Sequence, residues 1–270
     1  MPKTVIVPLD GSDFALRALP VAVSLADALD AELLLVTTPM TLDELDPSEL
    51  PVWLSDAAAA TGYDRVRTEL LREHDALTAI AGCVDRADEP VLCMATHGRG
   101  ALGTAVLGSV AQRAVRELGV PTALVGPNSD TEWRVDGPIV VCHDGSRASN
   151  AILPTAREWA RTLNREVVIV HVVHPRDVET SSAPAAELEH AVEFFQTELA
   201  DDGLRVLRDR HPAGGILELA DDVAASLVAL STHGHTGRAR LTLGGVAGAV
   251  IHAAPCPVLI TRPRELAPSS

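Results

Sequence analysis

Residues 95–110 read ATHGRGALGTAVLGSV, directly after the apolar run Val91-Leu92-Cys93-Met94 and directly before an amphipathic segment, residues 110–118. Apolar strand, glycine-rich loop and helix start follow one another, the order in which α/β proteins build an anion site. Glycine lets the backbone come close to a phosphate, and the unpaired N–H groups of a helix N-terminus point at it. The pattern returns in the second half of the chain as residues 231–246, STHGHTGRARLTLGGV. Thr96-His97-Gly98 recurs as Thr232-His233-Gly234, and nine residues separate that glycine from Gly108 in one copy and Gly244 in the other. The chain reads as a tandem duplication.

Working outward, Thr4-Val5-Ile6-Val7-Pro8-Leu9 is a β-branched run that stops at Asp10-Gly11-Ser12. A helix is predicted from there, capped by Ser12 or Asp13, with Leu16, Leu19, Val23, Leu25 and Ala26 along one side. Residues 31–37 form a second buried strand and residues 39–51 a turn-prone acidic region; a helix near 54–60, a strand at 65–71 and a helix at 74–86 follow. A strand at 91–95, a helix at 110–118 and a last strand at 120–125 complete the half. The second half repeats the order, with His143-Asp144-Gly145-Ser146 matching Leu9-Asp10-Gly11-Ser12 at an offset of 134. Its predicted elements are a strand at 138–142, a helix at 148–163, a strand at 166–173, an amphipathic helix at 185–199, a strand at 204–208, a helix at 213–221, and strands at 227–230 and 257–261. A polar Gly/Pro stretch, residues 126–137, lies between the halves, so domains are expected at 1–127 and 137–264 with a linker at 128–136. Alternating strands and helices imply parallel pairing, and the uninterrupted apolar strands imply a sheet covered on both faces.

Composition narrows the function classes. The chain of 270 residues carries a formal charge of −15. Residues 1–134 hold 10 basic and 20 acidic side chains, and residues 135–270 hold 12 and 17. Neither half offers the basic face of a nucleic-acid or anionic-membrane binder, so an anionic ligand must be held by local backbone dipoles. Cys83, Cys93, Cys142 and Cys256 form no C-x-x-C pair and read as small buried hydrophobes. No apolar N-terminal signal or 18-residue apolar span is seen, which gives a cytoplasmic expectation. Lys3 is the sole lysine, which excludes a P-loop lysine, and neither a Gly-x-Ser-x-Gly elbow nor a His-Glu-x-x-His helix is present.

Each half resembles a universal stress protein domain, and the whole chain resembles a tandem universal stress protein. The resemblance rests on the family's ATP-binding pattern Gly-x2-Gly-x9-Gly-Ser/Thr beside an aspartate at the end of the first strand. The first half matches as Ala95-x2-Gly98-x9-Gly108-Ser109 with Asp10, and the second as Ser231-x2-Gly234-x9-Gly244-Gly245 with Asp144. Ala95 and Ser231 replace the leading glycine, and Gly245 replaces the closing Ser/Thr. The resemblance implies, in each half, an open five-stranded parallel sheet of order 3-2-1-4-5 with helices on both faces, and a nucleotide where strands one and four diverge. The family's habit of pairing through last strands implies an intramolecular pseudo-dimer joining residues 120–125 and 257–261. A homodimer of chains is a further expectation, and the protein partner stays open.

The resemblance also implies roles. Pro8, Leu9 and Asp10 border the adenosine, Thr38 flanks the base, and Met94 lies near the ribose. Gly98 admits the phosphates, while Gly108, Ser109 and Val110 present N–H groups and Ser109 adds a hydroxyl. The matching positions are Cys142, His143, Asp144, Val172, Leu230, Gly234, Gly244, Gly245 and Val246. Losing the hydroxyl at Gly245 predicts weaker binding there, by about 1.5–3 kcal/mol, and a looser helix start. Plainer roles compete: Asp10 and Asp144 as turn or cap residues, the glycines as turn formers, His97 and His233 as loop-positioning residues, Arg99, Arg238 and Arg240 as solvated charges. The expected ligand is ATP, with Mg²⁺ carried by the nucleotide, in a regulatory stress-response protein. A slow nucleotide hydrolase using His97 or His233, and an interaction module without nucleotide, are the alternatives.

Overall fold

A computed structural model describes residues 3–38, 51–73, 75–98, 107–130, 133, 136–145, 149–173, 203–231 and 244–261. The predicted helix at 185–199 and the acidic stretch at 39–50 lie outside the described residues.

In the first half the strands are β1 (Thr4–Pro8), β2 (Glu32–Thr37), β3 (Val66–Leu70), β4 (Pro90–Ala95) and β5 (Thr122–Val125). Between them run α1 (Asp13–Leu16), α2 (Ala18–Ala28), α3 (Val52–Ala60), α4 (Ala76–Arg86) and α5 (Ser109–Glu117). The second half has β6 (Ile139–Cys142), a 3₁₀ turn (Ser149–Ile152), α6 (Leu153–Leu163), β7 (Val167–Val173), β8 (Gly203–Arg208), α7 (Pro212–Asp222), β9 (Leu227–Ser231), α8 (Gly245–Ala253) and β10 (Val258–Thr261).

The ten strands among the described residues form one sheet, ordered β3-β2-β1-β4-β5-β10-β9-β6-β7-β8. Pairing within each half is parallel, in the order 3-2-1-4-5 that the resemblance implies. The halves meet antiparallel, with Leu124 opposite Val258, Ala123 opposite Leu259 and Thr122 opposite Ile260. The last strand of each half is thereby covered by the other, which removes two unpaired edges.

Strand alternation assigns the core. Val5 and Val7 face one side with Val21, Leu25 and Trp159, while Ile6 faces the other with Leu77, Ile80 and Val250. Both apolar layers run through both halves, so each sheet face is buried, as the unbroken apolar strands require.

The first helix of each half departs from expectation in the same way. The predicted helix from Ser12 breaks at Arg17, and the one predicted over 148–163 begins as a 3₁₀ turn before α6. Prolines explain both: Pro20 and Pro154, at matching positions of the two halves, have no N–H to give the carbonyl four residues back. Each proline then sits within the first turn of the helix that follows, where that donor is not needed.

The segment between the halves is tied on both sides. Arg17 donates from one guanidinium nitrogen to the carbonyls of Pro127 at 3.1 Å and Ser129 at 2.8 Å. Trp133 is buried, and its indole N–H donates to the Ser226 carbonyl at 2.5 Å. Lys3 reaches across to Glu158 on α6 at 2.8 Å.

Candidate functional site

β1 and β4 are neighbours, yet the chain leaves them for opposite faces of the sheet, which opens a crevice at their carboxyl ends. A cleft of about 500 Å³ occupies that crevice. Its walls bring together Pro8, Leu9, Asp10, Thr38, Met94, Ala95, His97, Gly98, Gly108, Ser109 and Val110. Of the candidate residues of the first half, Arg99 alone lies outside the described residues.

The turn after β1 sets one side. Gly11 has φ 77°, a left-handed conformation that favours glycine, and it turns the chain so that Asp10 faces the loop after β4. Asp10 Oδ1 accepts from the Ser12 amide at 3.0 Å and the Ser12 hydroxyl at 2.6 Å, while Ser12 Oγ caps α1 by accepting from the Ala15 amide at 3.2 Å. Asp10 is therefore a turn residue and a wall of the cleft at once. Across from it, Gly98 packs so closely that an added Cβ would collide with the Asp10 carboxylate.

The other side is the start of α5. Gly108, its N-cap, has no side chain to accept from the amides that follow, and no other cap replaces one. The first α-helical bond is Gln112 N–H to Gly108 C=O at 2.9 Å. Among the described residues nothing accepts from the amides of Ser109, Val110 and Ala111. One expected role changes: the Gly108 amide is occupied, donating to the Thr96 carbonyl at 2.7 Å, a bond that closes the loop onto β4. The amides left open are those of residues 109–111. A helix start of this kind carries about half a positive charge.

His97 is held at the mouth of the loop. Its Nδ1 lies 2.9 Å from the Thr96 hydroxyl, and its ring packs edge-on against Phe14 at 5.7 Å.

Sequence reasoning missed the cleft's apolar inner wall, Val36, Leu71, Ile80 and Ala111, and the contribution of Ala76 at the head of α4. The signal was available: helices that follow strands in such a sheet start at its carboxyl edge, so the head of α4 must border the same crevice.

In the second half the described candidates are Cys142, His143, Asp144, Val172, Leu230, Ser231, Gly244, Gly245 and Val246; His233, Gly234, Arg238 and Arg240 lie outside the described residues. Gly145 has φ 82°, reproducing the turn at Gly11. Gly244 caps α8 at φ −55° and ψ 151°, close to φ −64° and ψ 154° at Gly108, so the helix starts at Gly245 despite the missing side chain. The polar details differ. His143, at the position of Leu9, is buried and accepts at Nδ1 from the Gly145 amide at 3.0 Å, which places its proton on Nε2, 2.7 Å from Asn150 Oδ1. His171 Nδ1 donates to the His143 carbonyl at 2.8 Å, and the Ser149 hydroxyl donates to Asp144 Oδ1 at 2.8 Å. Cys142 is inert as a thiol: burial pushes it up to about 12, with Cys256 adding to the shift.

A duplicated scaffold of this kind has a counterpart among known proteins. A model of the universal stress protein family matches residues 1–126 and again residues 137–262. The chain belongs to the universal stress protein family. A universal stress protein of Mycobacterium tuberculosis is 29% identical over 224 residues, covering 76% of this chain and 73% of that one. A universal stress protein of Bacillus subtilis is 28% identical over 144 residues, which is 46% of this chain and 97% of that one. Among solved structures, a universal stress protein from Archaeoglobus fulgidus superposes with a TM-score of 0.66 at 16% identity, covering 96% of this chain and 98% of that one. A functionally unknown protein from Pseudomonas aeruginosa gives a TM-score of 0.68 at 17% identity, with 96% and 92% covered. At these identities the structural likeness speaks for the universal stress protein fold. Among the described residues no helix is long and apolar enough to cross a membrane.

Proposed function

We propose that the first half binds an adenine nucleotide, ATP with Mg²⁺ held on its phosphates, and that the chain acts as a nucleotide-dependent regulatory protein. One observation carries the reading: three amides, at Ser109, Val110 and Ala111, face a cleft of about 500 Å³ with no acceptor among the described residues. Ligand pockets run to about 300–1,000 Å³, so the cleft has room for a nucleotide. Those amides and the Ser109 hydroxyl take the phosphates, in keeping with anion capture at helix starts. The apolar wall of Val36, Leu71 and Ile80 receives the base, and Asp10 accepts from sugar or base hydrogens. Gly98 keeps the loop backbone near the phosphates because no side chain stands there.

Turnover is expected to be slow in this reading, since the sequence offers no evident general base and His97, held by Thr96 and Phe14, reads as a loop-positioning residue. The second half keeps the helix start and the turn but lacks the hydroxyl at Gly245, so it binds the same ligand more weakly.

Calorimetric titration of ATP with Mg²⁺ into the wild type and into Gly98→Asp tests the proposal. A saturable site in the wild type that disappears in Gly98→Asp, with both proteins folded by circular dichroism, is the expected result. Silence in the wild type removes the nucleotide reading and leaves an interaction module.

A further inference from the structure

Beside the cleft, α4 and α5 are joined by a pair of charged side chains that no site motif contains. Arg113 on α5 forks onto Asp75, donating to one carboxylate oxygen at 2.7 Å and to the other at 3.2 Å. Asp75 is the N-cap of α4; it also accepts from the Thr78 amide at 3.0 Å and the Thr78 hydroxyl at 2.8 Å. Its neighbour Ala76 lines the cleft, and Arg113 stands four residues, one helical turn, beyond Ser109. Glu117 lies 3.6 Å from Arg113 and 2.8 Å from Arg116.

Both Asp75 and Arg113 are more than 40% exposed, and an exposed ion pair adds little to stability. Its place at the rim gives it a different effect. A carboxylate capping α4 is good for that helix but stands next to the cup that must take a polyanion, in a protein whose formal charge is already −15. The guanidinium neutralises that carboxylate where it stands. The second half has no such arrangement: by the register of the repeated loop, Asp75 and Arg113 correspond to His211 and Ala249, and His211 makes no side-chain cap bond.

We propose that Arg113 is a positioning residue for polyphosphate binding: paired with Asp75, it neutralises the rim carboxylate and holds the start of α4 against the middle of α5, so that the first-half cleft accepts a nucleoside triphosphate. This rests on the nucleotide reading of the cleft. The pair acts through the charge of the ligand, and its influence grows with the number of phosphates and fades in high salt.

The test is a charge cycle on the full chain, with ATP titrated directly and AMP measured by competition at low and high salt. Arg113→Gln is expected to weaken ATP about three- to tenfold at low salt, the scale of one screened charge near a protein surface, and AMP by less than about twofold. Arg113→Lys keeps most of the ATP affinity. Asp75→Asn with Arg113→Gln returns ATP binding to near the wild-type value, since asparagine still caps α4 but carries no charge. Equal losses for ATP and AMP, or a double variant as weak as Arg113→Gln, overturn the proposal. ATP binding that Arg113→Gln leaves unchanged overturns it alone, whereas a wild type that binds neither ligand overturns the nucleotide reading and takes this proposal with it.

Discussion

The two helix starts, at Gly108 and Gly244, differ by only a few degrees in φ and ψ, yet the groups around them have drifted apart. In the first half the neighbours are Leu9, Ser109 and a rim pair of opposite charges; in the second they are a buried histidine, Gly245 and an uncapped α7. Backbone geometry set by a strand order and a glycine turn is retained in both copies. Side-chain chemistry at the strand ends is not. A duplicated domain can thus keep one backbone frame while the chemistry at its two strand ends diverges.

The sharpest way to break this comparison is to damage both loops at the same glycine. Gly98→Asp puts a second carboxylate against Asp10, and about a hundredfold or more of ATP affinity, roughly 2.7 kcal/mol, is expected to vanish. Gly234→Asp should leave the tighter calorimetric phase intact. Equal losses from the two variants would mean that the halves are functionally alike.

Next in size is a stability effect confined to the second half. His143→Leu restores the residue the first half uses, but it strands the Gly145 amide and Asn150 Oδ1. Urea unfolding should show a loss of about 1–3 kcal/mol, the usual net worth of two part-buried hydrogen bonds. A neutral or stabilising result would show that the histidine's bonds are dispensable.

Gly245→Ser sharpens the comparison from the other side. An added Cβ meets nothing within 4 Å there among the described residues, so the helix start has room for a side chain. Weak second-half ATP binding should improve about tenfold, measured in a Gly98→Asp background to isolate it.

The smallest effect expected is on acid stability. The Arg113 guanidinium, with help from Thr78, holds the Asp75 carboxyl at about 2, below its ordinary 3.8. A depressed folded value means the stabilisation is present above about pH 4 and is lost as pH falls through 2. Asp75→Asn should flatten the acid limb of a thermal-melting profile in that window.

Much of this was legible in the sequence, for physical reasons that can be named. Val5, Ile6 and Val7, buried on alternating faces, announce a covered parallel strand, and the repeated Gly98-x9-Gly108 spacing announces the loop and helix start. The doubled proline, Pro20 and Pro154, is equally legible, but the apolar stripe continues across the break and masks it. Leu71 and Ile80 were not readable as cleft residues, because a wall built from three elements requires the strand order first. The occupied Gly108 amide was out of reach as well: a glycine pattern fixes where the backbone can go, not which carbonyl it meets. Asp75 and Arg113, well separated along the chain, become partners only after α4 and α5 lie side by side.

The antiparallel seam between Leu124 and Val258 has a consequence for abundance. Separate subunits meeting through four-residue strands would fall apart on dilution, because association depends on how many copies are nearby. Here the covalent strap keeps the local concentration of each half in the presence of the other high and constant. A cell holding a handful of copies still holds the whole ten-stranded sheet, so the assembled architecture does not wait on how much of the protein has built up.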